Sequence, residues 1–103
     1  MFKRIKLARR SMQISKRMIE IAAQLKGFDF LYDEDDVAEL AKQYPLTYGA
    51  ILQLIEEAYA LLIEKANIHL ELGRLSDYSD MLTWIDTLNE ILWTFKAAAE
   101  KAV

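Results

Sequence analysis

The stretch MLTWIDTLNEILWTFKAAAEKA, residues 81–102, decides the fold. Met81, Ile85, Leu88, Leu92, Phe95, Ala99 and Ala102 recur at steps of 4, 3, 4, 3, 4 and 3, which is three heptads of an a/d pattern. Trp84, Ile91 and Ala98 run in parallel one flank over. A stretch with this period and no Gly or Pro is a helix with one face committed to packing. Ser76 or Ser79 is placed to cap it, which predicts a helix over about 77–102.

Working outward, Arg74-Leu75-Ser76 forms a tight connection behind Gly73. Before it, Leu52, Tyr59, Ile63, Ala66 and Leu70 make one apolar stripe, and Ile51, Ile55, Ala58 and Leu62 make a second. A helix with two stripes meets neighbours on more than one side, so this is the expected central helix. Thr47 is a candidate cap, giving a span of about 48–72. The short connection makes the two helices antiparallel neighbours, an αα-hairpin about 37 Å long at 1.5 Å per residue.

Further upstream, Pro45 stops a short helix predicted over about 34–44, because proline lacks an N–H and restricts Tyr44 before it. Asp33, Glu34, Asp35 and Asp36 stand at its start, where carboxylates cap free N–H groups and suit the positive dipole end. A calcium loop counted from Asp33 would need a ligand at its fifth position, and that position is Val37. Residues 27–32, Gly-Phe-Asp-Phe-Leu-Tyr, are too apolar for a solvated linker and read as a packed loop. The first helix spans about 3–26, with Leu7, Ile14, Met18, Ile21 and Leu25 on one stripe and Ile5, Met12 and Ile19 widening its edge. Residues 1–103 thus read as one all-α domain, an elongated antiparallel helical bundle of three long helices plus one short helix, with the hairpin in the C-terminal half.

The composition agrees. At 103 residues there is room for one core. With 53% apolar residues, three Gly and one Pro, the chain is neither disordered nor a loop-rich scaffold. The absence of Cys removes disulfides, thiolate zinc sites and Cys nucleophiles, and suits a cytoplasmic, intracellular setting or the inside of a virion. No run of about 18 uninterrupted apolar residues exists, so no bilayer-spanning segment is expected. The basic start lacks the apolar run of a secretory signal. It shares the composition of an organelle transit peptide, but the expectation is that it belongs to the folded domain.

The net charge of −3 conceals a division. Lys3, Arg4, Lys6, Arg9, Arg10, Lys16 and Arg17 lie within residues 1–19 with no acid, and all sixteen acids follow. A split of this kind points to a basic element meeting an acidic partner. Those seven cations are the candidate contact residues for nucleic acid or another polyanion, although only Phe2 is at hand for base stacking. An anionic membrane surface is a weaker destination.

Other constellations carry less chemistry. His69 is the only histidine, and its helical neighbours Lys65, Ala66, Leu72 and Gly73 include no carboxylate to orient it or complete a metal site. It reads as a surface or partly covered residue. Glu57, Glu64 and Glu71, spaced by seven, are either a solvated row or the counterpart of the basic first helix. No Ser-His-Asp set or glycine-rich phosphate loop is present, so no catalysis, cofactor, metal or small-molecule substrate is expected.

Leu40, Ala41, Tyr44, Leu46, Ile51 and Leu54 occupy positions that pack two short helices together. In this, residues 37–56 resemble a helix-turn-helix, and equally a small ubiquitin-associated-like bundle. The resemblance implies DNA reading by Thr47, Tyr48, Gly49, Leu52 and Gln53, yet none of these is basic and Glu56 and Glu57 follow. Pro45 also stands where the helix-turn-helix turn usually has Gly.

The functional expectation is a non-catalytic interaction or assembly module, homo-oligomeric or bound to a protein partner. Small cysteine-free helical chains of this kind suit phage- or plasmid-type accessory, structural or viral proteins. Its expected interface lies on the last helix, at Met81, Trp84, Ile85, Leu88, Leu92, Trp93 and Phe95. The alternative is nucleic-acid binding through the first helix. A third reading is an acidic decoy that mimics nucleic acid.

Overall fold

Helix boundaries in this chain are set by two glycines, one aspartate and one proline. The computed structural model describes residues 2–27 and 33–102. Four helices account for nearly all of them: α1 (Phe2–Leu25), α2 (Glu34–Gln43), α3 (Pro45–Glu71) and α4 (Leu75–Ala102). No strand occurs among the described residues, and the protein is all-α. The packed loop expected over 27–32 lies, beyond Gly27, outside the described residues.

Gly27 follows α1 at φ +94°, the left-handed conformation that ends helices cheaply only at glycine. Asp33 caps α2, its Oδ1 accepting from the N–H of Asp35 at 2.9 Å and of Asp36 at 3.3 Å. Within the acidic cluster Asp33 is thus the cap, while Glu34 and Asp35 pair with Lys101 of the last helix at 3.2 and 2.9 Å. Tyr44 alone separates α2 from α3, serving as C-cap of one and N-cap of the other.

Two helix starts differ from the sequence reading. α3 begins at Pro45, three residues before the expected start, and Thr47 sits inside its first turn without capping it. The reason is that the first helical position needs no N–H donor and favours the φ that proline already has. α4 begins at Leu75, ahead of both serines. Here the end of α3 sets the geometry: Gly73, at φ +73°, donates to Leu70 O at 3.1 Å and Arg74 donates to His69 O at 2.9 Å, a Schellman closure. Arg74 O then accepts from Tyr78 N at 2.9 Å, so the next helix is already under way.

α3 is the axis of the molecule. α1, α2 and α4 all pack on it, α2 also packs on α4, and α1 and α4 do not pack on each other. Two cores result. Val37, Ile51, Ile55, Ile91, Leu92, Phe95 and Ala98 join α2, α3 and α4, while Ile14, Ile68 and Leu72 join α1 to α3. In the larger core the Tyr48 ring stacks on Phe95 at 5.3 Å, and its hydroxyl donates to Phe95 O at 2.7 Å. By length and apolarity alone α3 would suffice to cross a membrane, a looser test than an unbroken apolar run. Here it serves as the shared helix for the other three, and Glu57 within it is ion-paired.

The radius of gyration is 15.7 Å, where a compact domain of this length has about 13 Å. The principal extents are 52 × 21 × 20 Å. The molecule is a rod.

Candidate interaction surfaces

The basic and acidic rows meet along one side of the rod. Lys3 lies 3.6 Å from Glu71. Arg10 holds Glu64 with two bonds of 2.6 and 2.9 Å, and Arg17 holds Glu57 with two of 2.5 and 2.8 Å. Arg17 also reaches Glu20 at 3.1 Å. Both rows step by seven, and one ascends as the other descends. The paired guanidiniums hold the carboxyls of Glu57 and Glu64 below the usual range, and the carboxylates in turn raise Arg10 and Arg17. Of the two sequence readings of this glutamate row, pairing with the first helix is the one observed. Lys3, Arg10 and Arg17 share the same period, a signal the sequence reading did not use.

The other cations of α1 divide. The Arg4 guanidinium donates to Leu72 O at 3.4 Å, closing a carbonyl at the end of α3. Lys6, Arg9 and Lys16 are exposed and have no carboxylate partner among the described residues.

The expected interface residues of α4 also separate. Leu92 and Phe95 are buried in the chain's own core, and Met81, Ile85 and Leu88 are half-buried. Trp84 and Trp93 are 60% and 66% exposed. Nine residues apart, they point to opposite sides of the helix and cannot share one seam.

Trp84 instead borders a groove. Because α1 and α4 both lean on α3 without touching, an apolar trough of about 450 Å³ lies between them. Ala58, Leu62 and Lys65 of α3 form its floor, with Met18, Ile19, Ala22 and Leu25 on one wall and Met81, Trp84 and Leu88 on the other. The Lys65 ammonium donates to Ser15 Oγ at 2.5 Å and has no carboxylate within ion-pair distance among the described residues. Sequence periodicity could not reveal this trough, since it depends on which helices fail to meet.

His69 corrects its sequence reading, because it is buried, with only 6% of its surface exposed. The Schellman turn brings Asp77 to 4.0 Å from its Nδ1, beyond hydrogen-bond reach, and that nitrogen has no partner among the described residues. Burial pushes its pKa down, partly opposed by Asp77 and helped by Lys65 and Arg74. No group of three metal-ligating side chains occurs among the described residues.

The helix-turn-helix resemblance does not extend to packing. Leu46 and Tyr44, two of its skeleton positions, are 90% and 61% exposed. Tyr48, at a would-be reading position, is packed on Phe95. A one-residue joint replaces the three- to four-residue turn that such a motif needs. Comparison of the chain with protein-family models, curated proteins and solved structures found no match.

Proposed function

We propose that this chain is a non-catalytic helical assembly module, an elongated antiparallel bundle that associates with itself. The observation that carries the reading is surface area. The chain exposes 7082 Å², whereas a folded monomer of 11.9 kDa ordinarily exposes about 5,900 Å². The excess, about 1,100 Å², is of the size that one partner buries in a standard protein interface, about 800 Å². Much of it is apolar: Phe2, Met12, Ile19, Leu75, Trp84 and Trp93 are each more than half exposed. Of these, Ile19 and Trp84 border one apolar trough, and a contiguous apolar surface is what marks an association site. Sedimentation or light scattering at micromolar concentration tests the reading. A species above monomer mass supports it, and a strict monomer at every concentration overturns it.

A second reading, polyanion binding through α1, draws on Lys6, Arg9 and Lys16, the cations left without carboxylate partners. It predicts binding to nucleic acid that weakens steeply with salt, and absence of binding at low salt ends it.

A further inference from the structure

We infer that the trough between α1 and α4 is the seat of a second copy of this chain, placed so that the basic lip of each copy runs along the acidic lip of the other. The inference rests on the self-assembly reading and assigns it a location. Two exposed stripes, one on α1 and one on α4, form the lips of the trough, and Ile19 of the first and Trp84 of the second line the trough itself. On α1, Ile5, Arg9, Met12, Lys16 and Ile19 recur at steps of 4, 3, 4 and 3, and all five are exposed. That is a complete helical stripe, alternately apolar and cationic, and none of the described residues covers it. On α4, Asp77, Asp80 and Trp84 recur at steps of 3 and 4, and all three are exposed. That stripe is acidic with a large aromatic at its end.

The two lips complement each other but belong to helices that do not meet, so they cannot satisfy one another within one copy. A two-fold axis brings α1 of one copy against α4 of the other, and each contact then forms twice. Opposite charges line up in both contacts, and Ile19 and Trp84 at the trough, with Met12 one step along the same stripe, move out of water. Lys65 adds a third argument. Its ammonium, half-buried on the trough floor, has one neutral hydroxyl as partner among the described residues, and a carboxylate arriving with the occupant completes it. An occupant that is helical, apolar and acidic is what α4 itself presents. A polyanion would satisfy the cations of α1 and leave the trough and Asp80 without a role.

Charge reversal of each lip tests this, read by sedimentation equilibrium of the full chain with helicity by circular dichroism as the folding control. Arg9→Glu with Lys16→Glu makes both lips acidic, and Asp77→Lys with Asp80→Lys makes both basic. Each variant alone is expected to dissociate at least tenfold more readily than the parent while keeping its helicity. Mixed one to one, the two variants should form a heterodimer, and all four substitutions in one chain should restore the homodimer. Should a reversal unfold the chain, Ala22→Trp, which fills the trough without changing charge, gives the same reading. A parent dimer indifferent to the charge reversals and to Ala22→Trp places the interface elsewhere, and this inference fails while the assembly reading stands. A parent that is monomeric throughout overturns both. Nucleic acid bound in place of a second copy overturns this inference in favour of the polyanion reading.

Discussion

At the residue scale, His69 and Phe95 show what burial costs and contributes. The His69 ring is taken from water without a partner for Nδ1, so the folded chain resists protonating it. The unfolded chain, with an ordinary pKa of 6.5, binds that proton more tightly. Stability from keeping the ring neutral is complete above 6.5 and is lost as pH falls through the depressed folded value. Thermal unfolding should therefore drop in temperature between pH 7 and 5, and His69→Gln should flatten that slope. Glu57 and Glu64, held low by their arginines, titrate below this window and affect a more acidic one. Phe95, fully buried beneath Tyr48, is the opposite case. Phe95→Ala should cost about 3–5 kcal/mol in denaturant unfolding, transfer and cavity terms together.

At the element scale, turns and charge ladders fix how helices follow and face one another. Gly73 has no atom near its missing Cβ, so a side chain there meets no clash and only the left-handed backbone opposes it. Gly73→Ala should therefore cost about 1–2 kcal/mol, measured by chemical unfolding, with helix content unchanged. The ladder on α1 and α3 is exposed enough for salt to screen it. Arg17→Glu should lower the melting temperature, adding Glu57→Arg should recover part of the loss, and the recovery should shrink in high salt. Much at this scale was legible in advance. The stripes of α1, α3 and α4 have the period that packing requires, and capping by Asp33 needs only neighbours two or three residues away. Helix starts at Pro45 and Leu75 were less legible, because cap preferences near Thr47 and Ser76 competed with turns that had already closed.

At the scale of the whole molecule, the proposed self-association would make stability depend on concentration. A state that associates only when folded is stabilised by mass action. The melting temperature should rise with protein concentration across the micromolar range by scanning calorimetry, and Trp84→Ala should reduce that rise. The sequence by itself determined what depends on near neighbours: four helices, their apolar faces, the Asp33 cap and the separation of charge into a basic start and an acidic remainder. Helical period and capping involve residues within about four positions, so a single chain displays them. Only the tertiary structure decided which cations of α1 meet carboxylates and which stay free. It also decided that Leu92 and Phe95 turn inward while Trp84 faces an open trough, and that a histidine with no carboxylate three or four residues from it along its helix is buried beside Asp77. Those outcomes depend on contacts between residues tens of positions apart. The crossing of rigid helices selects such contacts, and no local pattern encodes where two helices fail to touch.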